Sequence, residues 1–233
     1  WYHQHFAQHS AVKACIEYPW EFADGRANTE EATRLEALFE AYEKVRLLGI
    51  TRAGPAGIDS LNGQCHELHA NQNDWTTETR FLPAEPVMML KNDYSRGLFN
   101  GDQGVVLMRH LGNKISPTVV FRDADGFRMF AVSTLHDVLD YAFSLTVHKS
   151  QGSEYHCVGI CLPQDDSPIL SRELMYTAVT RSRTSVVFAG PKQRLADAIR
   201  KPVSRESTLG ELITIATSAT SQPKSADHGE DFT

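Results

Sequence analysis

No G-x-x-x-x-G-K-[ST] run occurs in the 233 residues. The chain therefore lacks the backbone cradle, the lysine and the magnesium-binding hydroxyl of a phosphate loop. No Asp-Glu pair following an apolar strand supplies a second magnesium site either. Alone, the chain is not expected to hydrolyse a nucleoside triphosphate. Positive charge is scarce as well: 23 Lys plus Arg stand against 29 Asp plus Glu, a net of −6, which excludes a global basic field. A protein that follows one nucleic-acid strand needs only a local groove, in which hydroxyls and backbone N–H groups contact phosphates. Much of the acidity lies near the ends, in Glu30, Glu31, Glu36, Glu40 and Glu43 and in Asp227, Glu230 and Asp231.

Cysteine is sparse. Cys15, Cys65, Cys157 and Cys161 show no C-x-x-C spacing and read as buried, reduced thiols of a cytoplasmic protein. His3, His5 and His9 have no cysteine or carboxylate spaced to complete a metal site, so no metal ligands are expected. No apolar run approaches the roughly 20 residues that span a bilayer, and no signal peptide is visible. Neither an internal repeat nor a nuclease-like Asp, Glu and Lys cluster occurs. The chain opens at Trp1 without an initiator Met and reads as a fragment of a longer protein.

With 41% apolar residues, the chain can build one sizeable core and a small second one. Residues 1–20 show no clear period. Residues 29–46 have the pattern of an amphipathic helix, with Thr29 as N-cap, acidic residues in the first turn and Leu35, Leu38, Phe39, Tyr42 and Val45 as the apolar stripe. A strand over 45–51 and a helix over 58–69 flank the turn Gly54-Pro55-Ala56-Gly57. From 86 to about 140 short β runs follow one another, with hairpin signals at Asn100-Gly101-Asp102 and Asp123-Ala124-Asp125-Gly126. Such spacing suggests a small barrel. Asn92, Asp93 and Asn100 are either nucleic-acid contacts or turn formers. After Arg205 and a last apolar patch, residues 209–213, a disordered tail is expected over 217–233.

The most informative run is Leu145-Thr146-Val147-His148-Lys149-Ser150-Gln151-Gly152-Ser153-Glu154-Tyr155. It reads as a buried strand that delivers five functional groups to its carboxyl end, where open α/β sheets bind ligands. A second run, Tyr176-Thr177-Ala178-Val179-Thr180-Arg181-Ser182-Arg183, closes a helix begun after Ser167-Pro168, with Leu170, Leu174 and Ala178 on its buried side. It hands over to the apolar strand 185–189. In a continuing helix Arg181 and Arg183 would point about 200° apart and could not readily share one phosphate.

These two runs resemble motifs V and VI of superfamily 1 helicases of the RecD type, the alpha subunit of exodeoxyribonuclease V. The stretch 47–62 is similar to that family's motif IV, and Asn92-Asp93-Tyr94-Ser95-Arg96-Gly97-Leu98-Phe99-Asn100-Gly101-Asp102-Gln103-Gly104 to the start of its inserted β-barrel. The match covers about 45–215, in the family's order. It implies an α/β fold, the second RecA-like parallel-sheet domain of a helicase, divided into 1–85 and 141–216 around an SH3-like β-barrel at 86–140.

The resemblance also implies an ATP-dependent 5′–3′ motor on single-stranded DNA within a RecBCD-type repair complex. ATP and Mg2+ would be held mostly by another domain. Arg181 aligns with the arginine finger that stabilises charge on the γ-phosphate; a surface ion pair with Glu173 or Asp197 is the alternative. Arg52 is a candidate second phosphate contact, or a turn-capping arginine. Glu154 stands where the family bonds the nucleotide ribose, after Gly152, which permits close backbone approach. Thr146 and His148 resemble residues that hold the DNA backbone, with Lys149 and Gln151 bridging the two sites. A plain polar strand-to-helix connection is the bland reading of this loop. Two other readings of the whole chain stay open: a free-standing or transfer-type relative of the same superfamily, and a non-catalytic module that binds DNA or partner subunits.

Overall fold

Asn28, rather than Thr29, caps the first long helix of the protein, whose computed structural model describes residues 1–22, 25–77 and 79–202. Asn28 Oδ1 accepts from the Glu31 N–H at 2.9 Å and Glu31 Oε2 accepts from the Asn28 N–H at 2.8 Å, a reciprocal capping box. The other carboxylate oxygen of Glu31 accepts from the N–H groups of Glu21 and Phe22, both at 2.9 Å. Three backbone donors thus account for a buried carboxylate. The helix, α2 (Thr29–Lys44), follows a π-helical turn (Tyr2–Ala7) and α1 (Ser10–Glu17), whose first turn is capped by His9 Nδ1.

Two sheets follow. The first is parallel, with order β7-β1-β8-β9, built from β1 (Val45–Gly49), β7 (Ser144–Thr146), β8 (Tyr155–Cys161) and β9 (Ser182–Ala189). Helix α3 (Ile58–Gln72) follows β1; α4 (Arg172–Val179) connects β8 to β9, and α5 (Lys192–Arg200) follows. Ser171 caps α4 by accepting from the Leu174 N–H. The helix therefore starts later than expected, and Leu170 is buried just ahead of it.

The second sheet takes residues 86–141. It is antiparallel, in the order β5-β4-β3-β2-β6, from β2 (Pro86–Met89), β3 (Gln103–Leu111), β4 (Lys114–Asp123), β5 (Gly126–Ala131) and β6 (Leu139–Tyr141). Asp123 pairs with Gly126, so the expected tight turn forms there. Asn100-Gly101 is also a turn, with the Asp102 N–H donating to the Phe99 carbonyl at 3.0 Å and Gly101 at φ +100°, but it does not join two strands in a tight hairpin. It closes a long loop, 90–102, in which Asn92 Oδ1 accepts from the Asn100 N–H at 2.8 Å. The remaining tight hairpin lies at Gly112-Asn113, between Leu111 and Lys114.

The opening segment and α2 build a core against the antiparallel sheet, while Met88 of β2 packs among residues of the parallel sheet. Tyr2, Phe6, Trp20, Phe22, Leu35 and Leu38 pack with Val105, Leu107 and Val120 of the antiparallel sheet and with Phe143. Trp20 Nε1 donates to the Cys15 carbonyl at 2.8 Å, and the Trp20 carbonyl accepts from His110 N–H. Arg109 reaches back to the carbonyls of Glu21 and Phe22 at 2.9 and 2.8 Å. Residues 1–20, for which the sequence shows no period, thus join with Glu21 and Phe22 to strap the inserted sheet to α2. Of the four thiols Cys157 is not buried: it is half-exposed, and hydrogen bonds with Ser185 and then Thr184 lower its pKa. The expected tail, the apolar patch at 209–213 and the end of the second motor-domain segment lie outside the described residues.

Candidate nucleotide and nucleic-acid site

Residues 147–154 run from the carboxyl end of β7 to the amino end of β8 as consecutive turns. The Ser150 N–H donates to the Thr146 carbonyl, Gln151 N–H to His148 and Ser153 N–H to Ser150. Thr146 Oγ1 accepts from the Lys149 N–H at 3.2 Å, and buried Ser150 donates its hydroxyl to Val147 at 2.8 Å. Gly152 has φ +85° and nothing within 4 Å of where a Cβ would stand. Its backbone conformation accounts for the glycine, and the space beside it is open.

This winding sends the side chains three ways. His148 and Gln151 line a groove of about 590 Å³ against α4, shared with Glu173, Thr177 and Lys201. Lys149 lies by Arg52 and Asp140; partial burial and then the Arg52 charge lower its pKa, while Asp140 opposes. Glu154 lines a cavity of about 290 Å³ between α2 and the inserted sheet, together with Tyr42, Arg46, Gln103, Arg122 and Tyr155.

Arg181 and Arg183 do not sit on one helix. Helix α4 ends at Val179, Thr180 caps it, and Arg183 belongs to β9. Arg181 Nε donates to the Thr177 carbonyl and Nη1 to the Ser153 carbonyl, both at 3.2 Å. The Tyr155 N–H donates to the Arg181 carbonyl at 2.8 Å. Among the described residues no carboxylate forms an ion pair with Arg181, and Asp197 pairs instead with Arg194 at 3.2 Å. Arg181 thus ties the end of α4 to the loop with its charge unspent. Arg183 Nε meets Glu154 Oε2 at 3.0 Å.

Arg52 stands apart. It follows Gly49, whose neighbours are Thr146 and Cys161, whereas Arg181 precedes Ser182, paired with Tyr155. The two arginines leave opposite ends of the parallel sheet, and Arg52 is held by the carboxylates of Asp59 at 3.2 Å and Asp140 at 3.1 Å. Asn92 and Asn100 are similarly engaged within their loop, Asn92 Nδ2 donating to the Tyr94 hydroxyl at 2.9 Å.

One functional group was missed. Arg46, buried in β1, donates to the Ala142 carbonyl at 2.5 Å and to Gln103 Oε1 at 2.8 Å, and lies 5.2 Å from the centre of the Tyr155 ring. It joins both sheets to the residue after Glu154. An arginine inside the apolar run Val45-Arg46-Leu47-Leu48 was the available signal, since arginine is seldom fully buried without partners.

By sequence the chain is related to helicases. Residues 141–189 match the UvrD-like helicase C-terminal domain. The RecBCD enzyme subunit RecD of Mycolicibacterium smegmatis is 36% identical over 167 residues, 70% of this chain and 28% of that protein. The ATP-dependent RecD2 DNA helicase of Deinococcus radiodurans is 35% identical over 151 residues, 63% of this chain and 20% of that protein. A Pif1 helicase structure from Candida albicans covers 89% of this chain and 57% of its own at 17% identity, with a TM-score of 0.42. The chain spans less than a third of the length of the curated relatives named here. With a parallel α/β sheet carrying both motif runs and these RecD relatives, the chain belongs to the RecD family of superfamily 1 helicases.

Proposed function

We propose that this chain is the second RecA-like motor domain, with an SH3-like barrel inserted at 86–140, of an ATP-dependent 5′–3′ DNA helicase acting in a RecBCD-type complex. The observation that carries the reading is Arg181. Its guanidinium is fixed by the carbonyls of Thr177 and Ser153, with no carboxylate ion pair among the described residues, beside the exposed Glu154. A neutral anchor leaves the full positive charge for a phosphate oxygen, and Glu154 offers an acceptor for ribose hydroxyls. The open space beside Gly152 leaves room for a nucleotide. These residues fit a nucleotide whose phosphate loop and magnesium ligands come from another domain.

Bound ATP with Mg2+ supplies the phosphoryl group whose transfer to water drives the motor. On this chain Arg181 stabilises charge developing on the γ-phosphate and Glu154 orients the ribose, held in turn by Arg183. Gln151 and His148 face α4, and Lys149 faces Arg52. Thr146 and His148 grip the DNA backbone, and Lys149 and Gln151 bridge that grip to the nucleotide, so that one loop answers to both ligands. Arg52 would meet a phosphate with a charge already shared with Asp59 and Asp140.

The test is single-stranded-DNA-dependent ATPase activity of the chain joined to its phosphate-loop domain, wild type against Arg181→Ala. Turnover should fall about 10³-fold with nucleotide binding largely kept. Unchanged turnover removes Arg181 as the finger. Absence of ATPase in the wild type would favour a non-catalytic binding module.

A further inference from the structure

We infer that the loop 90–102 carries a base-stacking platform, Tyr94 with Phe99, for a single-stranded nucleic acid. This rests on the strand-binding reading above and names a contact that reading does not include. The rings are 78% and 49% exposed, with centroids 6.1 Å apart and planes at 78°. Two large rings held in water at adjoining positions forgo the burial that aromatic residues ordinarily obtain.

The loop is braced, not slack. Leu98 is buried beneath it, and the Asp93 and Leu98 backbones bond each other. Arg128 donates to the carbonyls of Arg96 and Gly97 at 2.8 and 2.9 Å, and Asn92 accepts from Asn100 N–H. Such bracing holds the rings in place before any ligand arrives, which lowers the ordering cost of binding.

The loop's two carboxylates are both engaged internally, so it presents no free acidic group to a polyanion. Asp93 is satisfied by the Ser95 hydroxyl and Arg96, which pull its pKa down to about 2. Asp102 accepts from the Phe99 N–H at 2.8 Å. Lys91 is exposed at the loop's start. Met88, two residues before the loop, pairs with Asp140, which binds Arg52 at 3.1 Å and faces Lys149. The loop thus leaves β2 two residues beyond the position whose partner holds Arg52. Bases stack on aromatic faces whatever their identity, whereas phosphates do not.

Fluorescence anisotropy with labelled oligothymidylate, and with the same oligonucleotide made abasic, separates the two contacts in the chain joined to its phosphate-loop domain. For the thymidylate, Tyr94→Ala/Phe99→Ala should bind about tenfold or more weakly. Tyr94→Phe should retain binding, and the abasic strand should bind the wild type and the double variant alike. Equal thymidylate binding by wild type and double variant overturns the platform but leaves the motor reading intact. An equal loss on both strands also overturns it, because the defect would then lie in phosphate contact or folding. A wild type that binds neither strand removes the strand-binding reading and the platform with it.

Discussion

Arg183 Nε donates to Glu154 Oε2 at 3.0 Å, linking the residue before β8 to the second residue of β9. Both side chains are more than half exposed, so the pair contributes little to folding. Arg183→Ala should change the stability of the chain by no more than about 0.5 kcal/mol in urea unfolding. If Glu154 is the ribose acceptor, the same variant should raise KM for ATP several-fold with kcat nearly kept. A fall in kcat with unchanged KM would instead place Arg183 among the groups that stabilise transition-state charge.

Glu31 is a stability determinant. Its carboxylate accepts from three backbone N–H groups, those of Glu21, Phe22 and Asn28. Glu31→Ala strands those donors at the base of the strap, and should cost roughly 3 kcal/mol. Urea denaturation of the variant checks this, and a loss below about 1 kcal/mol would mean that water replaces the carboxylate without penalty.

Stability should also depend on pH through His69. Burial lowers its pKa from the ordinary 6.5, with only the Pro83 carbonyl opposing. Tyr2 Oη lies 2.9 Å from Nδ1 and the Pro83 oxygen 2.7 Å from Nε2, an arrangement that suits a neutral ring with the proton on Nε2. The unfolded ring takes up a proton near pH 6.5 and the folded ring resists it. Its stabilisation is therefore complete above that pH and is lost as pH falls, by at most about 1.4 kcal/mol per pH unit. Buried Glu85 acts in the opposite sense. Burial raises its pKa above the ordinary 4.5, so it gains stability as pH falls from its folded pKa toward that value. His69→Gln should flatten the loss between pH 6.5 and 5, while Glu85→Gln should steepen it. Parallel profiles for wild type and His69→Gln would refute the assignment.

Gly57 is required by crowding. A Cβ there would lie 2.4 Å from the carbonyl oxygens of both Arg52 and Ala53. Gly57→Ala should destabilise by on the order of 2 kcal/mol and displace Arg52 from Asp140. Thermal unfolding beside the Arg52→Ala variant separates the two effects: a matching loss would mean that the ion pairs alone account for it.

Much of this organisation was legible in local pattern. The strand at 45–49, the helix from Ile58 and the β runs after Pro86 follow from periodicity and turn chemistry, and the RecD relationship from the motif runs. Cap position was less legible, because Asn28 and Thr29 are both good N-caps and only the reciprocal bond with Glu31 chooses between them. The start of β9 at Ser182, ahead of the apolar run 185–189, is set by pairing with β8, a non-local partner, so Arg183 lies on a strand and not at the helix end. The contrast between Arg52, neutralised by two aspartates, and Arg181, held by carbonyls, depends on residues up to 88 positions away. The register shift between Tyr155 and Cys157 is likewise settled only by the neighbouring strand.

Trp20 and Arg109, which fasten the opening segment to β3, have a mechanical consequence. The core that runs from Tyr2 through Leu107 ends at Phe143, one residue before β7, and Met88 of β2 packs with Leu48 and Leu145 of the parallel sheet, so the two sheets are joined by packed side chains as well as by the chain. A pull on a strand at the loop 90–102 would be borne as torque by the whole body. It would pass into the parallel sheet through that packing, as a crank delivers force and a tether does not.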